Sequence, residues 1–138
     1  MNKWDKYFIK LAIETASMSE SKRLQVGAVA ILDKRIVCTG FNGTVSKYGD
    51  DELEDENGIT KPDVIHAEEN LICQAALQGK SLQGCTLYLT HNPCRHCCAL
   101  LGQVGIKCVK YLHDYRDLTG LLKLKQYEIK VEKLNYEI

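Results

Sequence analysis

With 138 residues, 45% of them hydrophobic, the chain can bury one substantial core and is too short for two ordinary domains, so residues 1–138 read as a single domain. Its 18 basic and 18 acidic side chains cancel and form no long basic stripe, which excludes the broad electrostatic footprint of a nucleic-acid binder and favours a small-molecule partner. No segment is apolar for long enough to cross a bilayer, and charges interrupt the N-terminal MNKWDKYFIKLAIETA where a signal peptide needs an unbroken apolar core; with seven cysteines, an odd count, the expectation is a cytoplasmic, membrane-free protein whose thiols are reduced, metal-bound or buried.

The first predicted element is a helix with Trp4, Phe8, Leu11, Ala12 and Thr15 on its core-facing stripe, fading within residues 17–21. VGAVAIL and RIVCTGF follow as two strands joined at Asp33-Lys34, a hairpin without the favoured turn glycine. Residues 42–63 hold three glycines, a proline and the acidic run DDELEDE; they read as a solvated loop with outward acids or as a lid. From His66 a second helix carries Ala67, Leu71 and Ala75 on one stripe with Ile72 and Ala76 beside it, and Gly79 ends it. The strand TLYLT comes next. Asn92-Pro93 then offers an N-cap and a first-turn proline for a third helix, with Leu100, Leu101 and Val104 inward and Gly105 closing it. The strand KCVKYL, a last helix near 117–127 weakened by Gly120, and a closing strand near 129–134 complete the chain. Strand–helix–strand spacing implies a right-handed parallel crossover. The fold class is α/β: a three-layer α/β/α sandwich with a five-stranded mixed sheet. Cys38, Cys73, Cys85 and Cys108 lie in apolar surroundings and read as core filler.

The chemistry concentrates at two helix starts. Cys94 and Cys97, three apart, share a helix face where first-turn N–H groups favour thiolates, yet a C-x-x-C alone is equally a redox pair or incidental. His66, opening the preceding helix with a strand between, supplies a third donor that converges on the same end of the sheet. Three ligands leave one position open, which marks a catalytic rather than a structural zinc (Zn2+). His96 and Cys98 are the nearest groups to close it, but they are offset from the Cys94/Cys97 face. Glu68, two residues beyond His66, either reaches over the metal to move protons or is a first-turn carboxylate interacting only with the helix dipole.

His66-Ala67-Glu68 followed by Pro93-Cys94-Arg95-His96-Cys97 resembles the signature of the cytidine/deoxycytidylate deaminase superfamily, a pattern and mechanism described for zinc deaminases generally. The likeness runs from about Leu24 to about Arg116, and it implies a cytidine deaminase-like fold. Gln25-Val26-Gly27-Ala28, the turn Thr39-Gly40-Phe41-Asn42-Gly43-Thr44, and Asn70 resemble the deoxycytidylate branch. That resemblance implies hydrolysis of dCMP to dUMP and ammonia, supplying the dTMP precursor, with Glu68 as the proton-moving catalytic residue. It makes Asn42, Gln25, Ala67 and Tyr115 candidate substrate contacts. Lys22, Arg23, Lys47 and Arg116 are the cations near the motifs that are available to a 5′-phosphate, Arg116 being equally suited to a surface ion pair. Relatives of this branch are commonly hexamers, and some respond to dCTP and dTTP, so a homo-oligomer with those effectors is implied. Two departures stand out: Glu69 occupies a position usually apolar, and residues 43–65 lack the cysteine or histidine of a second zinc site found in longer relatives. Deamination of another cytosine compound or of RNA, and a non-catalytic zinc-stabilised binding module, are the alternatives.

Overall fold

The computed structural model describes residues 1–45, 52–115 and 117–136. Nine elements follow one another: α1 (Lys3–Ala16), β1 (Gly27–Leu32), β2 (Arg35–Phe41), α2 (Ala67–Leu77), β3 (Thr86–His91), α3 (Arg95–Gln103), β4 (Cys108–His113), α4 (Thr119–Gln126) and β5 (Lys130–Lys133). The five strands form one sheet in the order β2-β1-β3-β4-β5. β1 is antiparallel to β2 and β3, whereas β3, β4 and β5 run parallel. The expected mixed five-stranded α/β/α sandwich is therefore present.

Period-two alternation sorts the strand residues between two cores. Ala28, Ala30, Leu87, Leu89, Val109 and Tyr111 pack with Leu71 of α2, Leu101 of α3 and Leu124 of α4. Val29, Ile31, Tyr88 and Leu112 pack with Phe8, Ile9 and Ala12 of α1. Because β1 is central and buried on both faces, it reads as a continuous apolar run. The β1–β2 turn holds Asp33 at φ 50° and Lys34 at φ 63°, the two positive values that a two-residue primed hairpin turn demands, so the turn forms without its preferred glycine.

Close approach, more than side-chain bulk, sets the helices on the sheet. A β-carbon on Gly27 would fall 2.1 Å from the Ala12 carbonyl oxygen, and one on Gly40 would fall 2.6 Å from that of Ala67. Gly40 thus lets the first turn of α2 lie flush on β2. Gly120, expected only to weaken α4, instead lets α4 seat against the turn before α3: its β-carbon would meet the Pro93 carbonyl at 2.7 Å and Cys98 Sγ at 2.9 Å.

Several local expectations are corrected. The buried face of α1 is Asp5, Phe8, Ile9, Ala12 and Ala16, with Trp4 exposed and Leu11 and Thr15 half-buried. Asp5 takes the inner position because its carboxylate accepts from Tyr88 Oη and from Lys110 Nζ, tying α1 to β3 and β4. Cys38, Cys85 and Cys108 are buried, but Cys73 is exposed, two residues from Leu71 and so on the opposite side of α2; Ala76 is exposed as well. Asn92 is not the N-cap of α3. Cys94 is, its Sγ accepting from the Cys97 N–H, because the strand continues past β3 with Asn92 N–H donating to the His113 carbonyl.

Candidate active site

Both helix starts bearing chemical motifs lie at the same end of the sheet. His66 is the N-cap of α2; its backbone N–H donates to Glu69 Oε1, which fixes the cap. Cys94 caps α3 and Cys97 lies in its first turn. His66 Nδ1 stands 3.7 Å from Cys94 Sγ and 3.4 Å from Cys97 Sγ, and all three donor atoms lie within 4.8 Å of one another. Tetrahedral zinc with ordinary Zn–S and Zn–N bonds spaces its sulfur and nitrogen ligands about 3.5 Å apart, so the donor set fits zinc in chemistry and in size. His96 and Cys98 do not join the cluster. His96 is exposed with Nε2 3.5 Å from Glu69 Oε2, and Cys98 is buried with Sγ toward the Pro93 carbonyl. Glu69, the departure from an apolar residue, therefore links the two helix starts.

The electrostatics also suit a cation. The Cys97 thiol and His66 hold the Cys94 thiol down at about 3, and the Cys94 thiolate in turn lifts His66 to about 9. The same thiolate, with burial, pushes the Cys97 thiol well above its ordinary range. Proton sharing among these three groups is what a divalent ion would displace, completing two thiolates and a neutral ring. Glu68 is only 5% exposed, and burial raises its carboxyl to about 7, with the Cys94 thiolate adding to the shift. The exposed first-turn reading of Glu68 is thereby overturned.

A cavity of about 390 Å³ opens onto this cluster. His66, Ala67, Glu68 and Cys94 line its floor; Arg23, Asn42 and Tyr115 line it as well. Asn42 Oδ1 accepts from the Val26 N–H and Nδ2 donates to the Leu24 carbonyl, which leaves one N–H and one lone pair of the amide for a ligand. Gln25 is not brought to the cavity: it is exposed, and its amide donates to the Ser19 carbonyl. Arg116 and Lys47 lie outside the described residues. Thr60 brings the 42–63 excursion to the cavity wall, with Val64 directly after it.

The expectation of an acidic run facing outward fails at Glu54. Its carboxylate accepts from Ser21 Oγ and from the N–H groups of Lys22 and Arg23, binding the excursion to the rim that carries Arg23. Sequence reasoning also missed His91, Asn92 and Ser21, all of which border the cavity. Asn92 clamps the β4–α4 loop, its Oδ1 accepting from the Tyr115 N–H and its Nδ2 donating to the Asp117 carbonyl. Its position immediately before Pro93-Cys94 was the available signal.

A buried carboxylate beside a three-donor soft-metal cluster, opening on a cavity of nucleotide size, defines a zinc-dependent hydrolase of the deaminase type. Residues 2–113 match the model of the cytidine and deoxycytidylate deaminase zinc-binding region, and the chain belongs to that family. It is 38% identical over 117 residues to ComE operon protein 2 of Bacillus subtilis, covering 82% of this chain and 61% of that protein. It is 32% identical to the deoxycytidylate deaminase of Mycobacterium phage D29, covering 78% of this chain and 93% of the phage protein. Its fold matches the crystal structure of dCMP deaminase from cyanophage S-TIM5 in complex with dCMP and dUMP, with a TM-score of 0.93, 35% identity, and 97% and 99% of the two chains covered. Among the described residues no helix is long and apolar enough to cross a membrane.

Proposed function

We propose that this chain deaminates dCMP hydrolytically, giving dUMP and ammonia, with His66, Cys94 and Cys97 holding zinc and Glu68 as the catalytic acid–base. The observation that carries the reading is the near full-length likeness to the phage enzyme bound to dCMP and dUMP, together with a buried Glu68 beside a three-donor cluster. Zinc, when bound, supplies a Lewis acid that makes a coordinated water acidic near neutral pH. Glu68, with its carboxyl near 7, is matched to accept a proton from the attacking water, hand it to N3 of the cytosine ring, and later protonate the amino group that leaves C4. Leu24, Val26 and Val64 give the cavity apolar wall against which the ring packs, and the spare amide capacity of Asn42 orients the nucleotide.

Arg23, exposed and lining the cavity, is the phosphate cation among the described residues in this reading. A cytoplasmic homo-oligomer, a hexamer by resemblance, and control by dCTP and dTTP belong to the same proposal; gel filtration and initial rates with each effector test them. Replacing Glu68 with Gln tests the chemistry: ammonia release from dCMP falls by a factor of about a thousand, as for loss of a principal acid–base group, while zinc stays stoichiometric. Retained turnover, or a wild-type protein that deaminates free cytidine and leaves dCMP intact, overturns the reading.

A further inference from the structure

Thr90 and His91 end β3, three residues before Cys94. Thr90 is buried; its Oγ accepts from the Gly27 N–H at 3.1 Å and lies 2.8 Å from His91 Nδ1. A hydroxyl has one proton to give, and among the described residues the Thr90 hydroxyl has no other acceptor than Nδ1. Donation to Nδ1 is the use of that proton that the described residues offer, and it puts the imidazole's own proton on Nε2. His91 lines the cavity, and with Nδ1 engaged toward the buried threonine, Nε2 is the ring nitrogen left for a ligand, with no protein partner among the described residues. The ring of His113 at 5.2 Å between centroids and the ring of Tyr115 edge-on at 6.1 Å hold the imidazole in place. Burial and the neighbouring His113 keep its pKa down at about 4, so it stays uncharged at neutral pH.

We propose that His91 is a further substrate-binding residue, a neutral Nε2–H donor that recognises an uncharged oxygen of the nucleoside moiety, the ring carbonyl or a sugar oxygen, and does not bind the phosphate. It rests on the reading of the cavity as a pyrimidine-nucleotide site. A phosphate dianion calls for cations or several converging N–H groups, and this wall offers one neutral donor. Asp117, joined through its carbonyl to Asn92, also lines the cavity with a carboxylate that the Thr119 N–H stabilises as the anion, which is unfavourable for a phosphate there. A fixed donor facing a neutral acceptor gives selectivity, because a ligand lacking that oxygen leaves the N–H unpaired.

The test uses the zinc-loaded full chain with His91→Leu, which removes the donor, and His91→Gln, which places an N–H at similar reach; equal zinc content and melting temperature establish that both fold. With dCMP, His91→Leu lowers kcat/KM about ten-fold, chiefly through KM, and His91→Gln recovers most of it. Inhibition by inorganic phosphate stays unchanged in both variants. A loss below two-fold in His91→Leu overturns the proposal, and so does a phosphate inhibition constant that rises in parallel with KM. Nitrogen-15 NMR of the wild-type histidines gives an answer that needs no turnover: His91 is protonated at Nε2, and its signal shifts when dUMP saturates the site. A proton on Nδ1, or a ring unmoved by dUMP, overturns it. Should the wild-type protein act on a cytosine compound other than dCMP, the functional reading fails on that ground, and the His91→Leu to wild-type ratio on that other substrate still decides the role of His91.

Discussion

Gly40→Ala isolates the step by which backbone packing positions the metal site. A β-carbon at residue 40 would stand 2.6 Å from the Ala67 carbonyl oxygen and 2.6 Å from the Leu71 nitrogen. Both are helix backbone atoms, so no rotamer change relieves the clash. α2 has to retreat by about 0.8 Å before the separation reaches the 3.4 Å of ordinary contact. The cost falls in the upper part of the overpacking range, about 2–3 kcal/mol, and for a chain of this size it lowers the melting temperature by about 10 °C. The same movement displaces His66, the cap of α2, from thiols that now stand 3.4 and 3.7 Å from its Nδ1. Zinc affinity drops about ten-fold or more, as it does when groups that orient metal ligands are disturbed. Calorimetric melting of the zinc-loaded protein and zinc competition against a chromogenic chelator measure the two effects. Gly43→Ala is the control, since its β-carbon would meet only a Phe41 ring carbon at 3.9 Å. If the two variants melt within 2 °C of each other and bind zinc equally, the account of Gly40 as the seat of the metal-bearing helix is wrong.

Asp5→Ala removes the acceptor shared by Tyr88 and Lys110 and costs about 2–3 kcal/mol, less than for an isolated buried pair because Lys110 keeps Glu132 at 3.5 Å. Hydrogen bonds from Lys110 and Tyr88 outweigh burial and hold the Asp5 carboxyl below its ordinary value, so this stabilisation is present above the usual carboxylate range and is lost as pH falls through the folded pKa. Chemical denaturation from pH 7 to 3 therefore shows the wild-type advantage over Asp5→Ala shrinking toward acid; a constant gap refutes it. Lys34→Gly relieves a residue at φ 63° and raises stability by about 1 kcal/mol, read as a rise of several degrees in melting temperature, less any loss of the Lys34 ammonium over the Trp4 ring at 5.0 Å. Stripping zinc with a chelator lowers the melting temperature, and rebinding at pH 7 releases about two protons, one from the His66 imidazolium and one from the Cys97 thiol. Titration calorimetry in buffers of different ionisation enthalpy counts them, and a count near zero means that the ligands were already deprotonated.

What the chain reveals before folding follows how local its causes are. The five strands and four helices are legible because each is set by its own periodicity and punctuation: the unbroken VGAVAIL run of a strand buried on both faces, the Ala67-Leu71-Ala75 stripe, and Gly79 at φ 67° ending α2. The metal donors are legible too, because zinc restricts residue type and spacing so tightly that few other patterns compete. The misreadings at α1 and in the acidic run share one cause, a partner far away along the chain. Trp4 reads as core from its helical spacing, yet it is exposed and Asp5 takes an inner position because it meets Lys110 across 105 positions. Glu54 looked like one more solvated acid in DDELEDE, yet three donors more than thirty residues earlier bury its carboxylate. Gln25 looked like a ligand contact and does not line the cavity, its amide donating to the nearby Ser19 carbonyl, while His91, unmarked by any motif, reaches the cavity through the register of β3 against β1 and β4. The reacting centre is thus written in short spacings, whereas the residues that shape the substrate around it depend on pairings that only the closed sheet creates. Substrate selectivity in this family is accordingly sought at the strand ends and loop clamps around Asn42, His91 and Tyr115, and substitutions there change KM more than they change zinc content.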